Sequence, residues 1–351
     1  MNEEVAAQIA AAYAALARSD FRAGVEQLQA LAARHPETHA AQHACGAVMA
    51  NLGGAAAAEP YLRRALALSP ASADTRVALG LALLAQGNYA EGWPLHEARY
   101  DLPGARGKPD LPWPEWRGEP LEGRRLLVWP DEGLGDQIQF LRFVPVLQAR
   151  GVEVVVCCTL SLARLFAVNT TAFVTPLTLK VDCPEPDLWT MSSFLPGRLG
   201  LTPETGPKPP YIRTPEVKQV PGARIGVMAR GNPEHVNDRH RSLWPDLAER
   251  LTALPGAISL RPEDTGAGDM RETAEIVAGL DLVISVDTSV AHLAGAMGKP
   301  VWVLLPAIGL DWRWGLSGET TPWYPSARLF RQPRMNDWPG VVEAVEAALR
   351  A

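Results

Sequence analysis

A spacing of 34 residues constrains the first third of this chain more than any other feature. Phe21, Ala55 and Tyr89 follow one another at that interval. So do Gly46 and Gly80, and the pairs His35-Pro36 and Ser69-Pro70. A fixed period of this length means that one supersecondary unit recurs and buries its apolar face only against its neighbours. Each period holds two helical patterns, with a small residue in the first and a proline closing the second. Helices are expected near 3–18, 21–34, 38–52, 55–68, 72–86 and 89–100, with Pro94 interrupting the last.

This is the tetratricopeptide pattern. Residues 1–100 hold about three units, the minimum for a shared core. Stacked helix pairs leave a concave surface that takes a peptide or a neighbouring domain, so partner or acceptor binding is expected here. His39 and His43 stand four apart on one helix, a spacing that can hold a metal. No carboxylate or thiol lies at a matching spacing, so a solvated face is expected instead.

Residues 101–123, with five prolines and four glycines around Trp113 and Trp116, form a non-regular connector pinned by its tryptophans. The rhythm then changes to short apolar runs alternating with helical patterns. Strands are expected at 124–130, 153–158, 172–176, 224–229, 257–261, 282–287, 301–306 and 327–332. Such alternation means parallel sheets covered on both faces. The proline-rich stretch 202–222 divides the region into 124–215 and 223–351, read as two facing doubly wound domains. Ligands in such sheets bind beyond the carboxyl ends of the strands.

The net charge of −6 at pH 7 argues against a phosphate-neutralising surface and a nucleic-acid partner, while leaving room for small basic pockets. The acidic start MNEEVAAQIA lacks a signal peptide's charge and apolar core. No run reaches the roughly 18 uncharged apolar residues of a membrane span. A cytoplasmic location is expected. Cys45, Cys157, Cys158 and Cys183 form no CxxC and read as free thiols.

Four stretches could carry chemistry. In WPDEGLGDQIQFLRF (129–143) a strand ends, Gly133 and Gly135 loosen the turn, and a helix begins near Asp136. Backbone N–H groups at such a turn approach an anion or a sugar. Asp136 reads either as the helix N-cap or as a base at the mouth of a cleft. Neither GxGxxG nor a P-loop is present, so NAD and ATP are not indicated. The loop ARGNPEHVNDRHRSLWPDL (229–247) gathers Arg230, Arg239 and Arg241 with Asn232, Asn237, His235 and His240, and arginine suits phosphate. In VDTSVAHLAGAMGKP (286–300) Asp287 closes a strand, Thr288 is a natural N-cap, and Gly298 ends the helix. Val290, Leu293, Ala294 and Met297 form its apolar stripe. His292 falls opposite that stripe among Thr288, Ala291 and Gly295, which leaves room for an anionic group at the helix start. Finally, Trp312, Trp314, Trp323 and Tyr324 surround Arg313, where they serve either ring stacking or packing.

These stretches together resemble the bacterial repeat-containing glycosyltransferases. "GLGDQIQF", "GNPEHVNDRHRS" and "VDTSVAHLAGAMGKPVWVLLP…DWRW…PWYP…RLFRQ" carry the likeness, which covers nearly the whole chain. The catalytic part is similar to the heptosyltransferases and the overall plan to O-GlcNAc transferases. The resemblance implies α plus α/β architecture: tetratricopeptide helices followed by a GT-B fold of two Rossmann-like domains. It implies a metal-independent enzyme that moves a sugar from a nucleotide-sugar donor to a protein hydroxyl. Flagellin, engaged through the repeats, and nonulosonic acids are the acceptor and sugar known among relatives. Asp136 matches the heptosyltransferase base. Arg241 falls at a basic phosphate contact. Asp287, Thr288, Ser289 and His292 match the donor motif, with serine replacing glycine. Gly135, Gln137, Asn232, Asn237 and Arg261 complete the expected donor and substrate contacts. Arg230 and Arg261 depart from the family's usual residues. They support the rival expectation of an inactive repeat scaffold, and a heptosyltransferase acting on lipopolysaccharide ranks third.

Overall fold

A computed structural model of the protein describes residues 3–105, 107–131, 133–178, 181–235 and 237–351. They fall into two compact units. One comprises 1–110 with 307–317, the other 111–306 with 318–351. Glu132 in the glycine turn and Val236 in the polar loop lie outside the described residues.

The first unit is built from antiparallel helix pairs: α1 (Glu3–Ala17), α2 (Phe21–Arg34), α3 (His39–Asn51), α4 (Ala55–Leu68), α5 (Ala73–Ala85) and α6 (Tyr89–His96). The bounds follow the repeat closely, because the period returns the same helix starts and places small residues such as Gly46 at the crossing. Asp20 and Ser72 cap α2 and α5 through their side chains. Gly46 admits Leu62, whose Cγ would lie 2.6 Å from a Cβ there. Pro94 lies inside α6, which runs on to His96 and then tightens into a 3-10 turn over Glu97–Asp101.

Two readings change here. His39 and His43 do not form a solvated face. They stack at 5.8 Å and converge on the buried Thr75 hydroxyl of α5, at 2.9 and 3.0 Å. Burial, with His39 beside it, lowers the His43 pKa. Residues 307–317, read from sequence as part of the last domain, pack with the repeats. Trp312 meets Trp93 edge to face at 5.0 Å, and Gly309 N–H donates to Asn51 O at 3.1 Å.

The second unit contains two sheets, parallel throughout. The first has β1 (Arg125–Trp129), α7 (Leu134–Phe140), α8 (Val144–Ala149), β2 (Glu153–Cys158), α9 (Leu160–Ala167), β3 (Phe173–Pro176), β4 (Leu188–Met191) and α10 (Leu195–Leu199), in the strand order β3-β2-β1-β4. The second has β5 (Ile225–Met228), α11 (Asp238–Arg241), α12 (Pro245–Thr252), β6 (Ala257–Ser259), α13 (Pro262–Thr265), α14 (Met270–Ala278), β7 (Leu282–Val286), α15 (Ser289–Ala296), β8 (Val301–Leu305), β9 (Ala327–Arg331) and α16 (Trp338–Arg350), in the order β6-β5-β7-β8-β9. The eight expected strands all form. Strand β4 was not anticipated. Its four residues follow DCPEP, too short a run to show a period, yet all four are buried. The connector completes that edge: Trp116 N–H donates to Trp189 O at 2.8 Å, and Trp189 N–H to Pro114 O at 3.1 Å. Trp116 is buried as its pinning role requires.

Cys45, Cys157, Cys158 and Cys183 are free thiols. Burial pushes Cys157 and Cys158 up to about 12. Among the described residues no helix is long and apolar enough to cross a membrane.

Candidate functional site

At the carboxyl end of β1 the chain turns through Gly133 into α7. Gly133 is the N-cap, and Asp136 is the third residue of the helix rather than its cap. The Asp136 carboxylate folds back over Gly133, where any side chain would collide with it. A carboxylate in the first turn faces the positive end of the helix. The turn is held from behind. Asp131, 6% exposed, accepts from Ser193 N–H at 2.7 Å and from the Ser192 hydroxyl. Gln137 donates to Asp131 O and to Thr159 Oγ1, each at 2.8 Å, and accepts from Thr159 N–H at 2.9 Å. The expected donor contact at Gln137 is therefore not available: its amide clamps the loop.

In the second sheet, Thr288 caps α15 through its hydroxyl, which accepts from Val290 N–H at 3.3 Å and lies 3.1 Å from Ser285 Oγ. Here the expected open side of the helix is closed. Residues Val290–Ala296 are all buried, His292 included. The small residues make room for the protein's own side chains. Gly295 admits the Tyr324 ring, 2.5 Å from a would-be Cβ, and Gly135 admits His292, also at 2.5 Å. His292 Nδ1 lies 2.9 Å from Tyr324 Oη, and Nε2 lies 3.9 Å from Asp287 Oδ1.

Arg241 ends α11. Its Nε donates to Asp238 at 3.1 Å and Nη1 to Asp287 O at 2.9 Å, and the guanidinium lies over Gly231. These anchors fix a half-buried cation beside the N-cap of α15. The contact between Gly135 and His292 therefore joins the two halves of the site. It brings the turn carrying Asp136 against His292, whose Nε2 lies 3.9 Å from Asp287 Oδ1.

Other predicted residues stand apart. Asn232 accepts from Glu234 N–H at 3.1 Å in an exposed turn. Asn237 precedes α11. Arg261, at the start of α13, pairs with Glu263 in solvent. Ser289 is the half-buried first residue of α15. Trp323 and Tyr324 are 1% and 0% exposed, which makes them packing residues rather than stacking platforms.

Sequence reasoning missed Asp131 and Arg142. Arg142, 2% exposed, donates to Gln139 O at 3.0 Å, to Tyr211 Oη at 2.9 Å and to Trp323 O at 3.3 Å. It faces the rings of Tyr211, Trp323 and Tyr324 at 4.5, 5.4 and 5.2 Å. A lone arginine within the apolar run QFLRFVPVL was the signal available for it.

Residues 265–309, from before α14 through β8, match the profile of Glycosyltransferase family 9 (heptosyltransferase). Protein FlbA of Caulobacter vibrioides is 26% identical over 419 aligned positions, covering 93% of this chain and 69% of that protein. Among solved structures, the iron-containing dodecameric glycosyltransferase TibC from enterotoxigenic E. coli is 14% identical with a TM-score of 0.42. That match covers 63% of this chain and 66% of that one. A mutant O-GlcNAc transferase of Thermobaculum terrenum is 14% identical with a TM-score of 0.26, covering 99% and 93%. The family 9 segment contains Asp287, Thr288, Ser289 and His292, and it supports a heptosyltransferase-like glycosyltransferase.

Proposed function

We propose that this protein is a metal-independent glycosyltransferase that moves a sugar from a nucleotide-sugar donor to a hydroxyl of a protein acceptor. The observation that carries this reading is the seating of His292 on Gly135. It joins the turn that carries the Asp136 carboxylate to α15, the helix whose capped start has Arg241 beside it. Glycosyl transfer needs those two elements. Charge develops on the leaving phosphate and is best met by fixed donors already in place. Arg241 and the first turn of α15 supply them, with Asp287 O holding Arg241 in position. The acceptor hydroxyl needs a base, and Asp136 is the carboxylate at the facing helix start. Arg241 carries the positive charge that a metal would otherwise bring, so transfer should persist in EDTA. The repeats would bind the acceptor, for which flagellin is the candidate that the family resemblance suggests, and the reaction would be cytoplasmic.

The test is transfer from a panel of CMP-, UDP-, GDP- and ADP-sugars, read by intact mass of the acceptor. With a donor identified, Asp136→Asn should lower kcat by about 100-fold or more while leaving donor binding nearly unchanged. Full activity in that variant removes Asp136 as the base.

The burial of His292 by the protein's own Gly135 and Tyr324 favours a second reading, a repeat-bearing binding protein without catalysis. A ligand that binds only the folded state raises its melting temperature. Absence of any shift with all four nucleotide sugars would select the scaffold.

A further inference from the structure

The ring of His292 lies between two groups of different hydrogen-bonding capacity. Nδ1 is 2.9 Å from the Tyr324 hydroxyl, and Nε2 is 3.9 Å from Asp287 Oδ1. An ionised carboxylate only accepts, whereas a phenol donates or accepts. Both neighbours are served when the ring proton is on Nε2, toward the carboxylate, and Nδ1 accepts from Tyr324. The opposite tautomer would set the Nε2 lone pair against a negative charge.

The surroundings reinforce this choice. Tyr324 is fully buried and its ring fills the space over Gly295, so the hydroxyl cannot turn away without unpacking the helix. The Arg142 guanidinium lies 5.2 Å from the same ring. Arg142 is itself fixed by Trp323 O, one residue before Tyr324, and by Tyr211 Oη. On its other edge, His292 presents Cδ2 and Nε2 to Gly135, next to Asp136.

We propose that Tyr324, seated by Arg142, is a positioning residue that holds His292 as the neutral Nε2–H tautomer. The imidazole then offers an N–H donor between Asp287 and the turn that carries Asp136. Its functional consequence rests on the glycosyltransferase reading above. With Nε2 already protonated and Nδ1 engaged by Tyr324, His292 would not take the acceptor's proton, which leaves Asp136 as the base.

The experiment uses the full chain labelled with 15N-histidine and a long-range 1H–15N correlation spectrum near neutral pH. His292→Gln identifies the signals of interest. The wild type should show the Nε2–H pattern. Tyr324→Phe should convert it to a mixture of tautomers, and Arg142→Lys should shift it partway. An Nδ1–H or doubly protonated ring in the wild type would overturn the proposal, and so would a spectrum unmoved by Tyr324→Phe. Titration with UDP, ADP, GDP and CMP separates the two levels. Tyr324→Phe should weaken the bound nucleotide by about tenfold, because the ring beside Asp287 and the Asp136 turn loses its fixed orientation. If the tautomer is as proposed but no nucleotide binds either protein, the positioning role stands and the donor reading falls.

Discussion

The two sheets of the second unit treat the polar groups at their carboxyl ends in opposite ways. At the end of the first, the chain satisfies itself: Asp131 holds Ser192 and Ser193, and Gln137 bridges Asp131 O and Thr159. At the end of the second, Arg241 is anchored but half-buried beside the α15 cap, and Arg230 has no hydrogen-bond or ion-pair partner among the described residues. One end is a platform whose hydrogen bonds fix the position of Asp136. The other holds Arg241 in an ion pair with Asp238 and leaves Arg230 without one among the described residues. Stability and binding should therefore separate by sheet.

The sharpest break comes at the contact joining the two ends. Gly135→Val forces the His292 ring aside, because even a Cβ there would lie 2.5 Å from it. A misplacement of this size at a reacting site costs about 100-fold in rate. Steady-state kinetics with the identified donor should show that loss, and undiminished kcat/KM would mean that the two ends work independently. Next in size is Asp131→Ala, which removes the buried carboxylate that accepts from Ser193 N–H and Ser192 Oγ. Urea unfolding should show about 2–3 kcal/mol of lost stability, with little change in nucleotide affinity for the protein that remains folded. Arg241→Met should weaken binding more. Nucleotide affinity falls by roughly 10-fold or more, the range of one charge-assisted hydrogen bond, in addition to the stability lost with the Asp238 and Asp287 O bonds. If Asp131→Ala weakens binding as much as Arg241→Met does, the division between platform and binding surface is wrong.

Much of the fold was legible because its signals are local. Caps such as Thr288 and apolar runs bounded by glycine and proline act within a few residues of chain, and the 34-residue period repeats one such unit beside its neighbour. Strand β4 escaped because four residues carry no period. It is recognisable only once β1 and the connector lie on either side of it. The site was legible in part. Asp136, Asp287 and Thr288 stand at strand ends and helix starts, His292 was placed by periodicity and Arg241 by resemblance, and the structure seats His292 on Gly135 and ties Arg241 to Asp287 O. Gln137 and Arg261 had the right chemistry, but a local partner engages each.

His292 shows where the boundary lies. Periodicity alone placed it opposite the apolar stripe, and that holds within α15. An amphipathic pattern, however, reports only which residues share a face; it does not say what covers that face. Tyr324 lies 32 residues further along the chain and Gly135 far earlier, and their packing buries the imidazole. Likewise, no local signal sends residues 307–317 to the repeats, or surrounds Arg142 with Tyr211, Trp323 and Tyr324. The sequence by itself determined which segments become helices and strands and which residues stand at their ends, because backbone hydrogen bonding and side-chain periodicity are short-range. Only the tertiary structure decided which polar groups are engaged and which remain available, because that depends on partners distant in the chain.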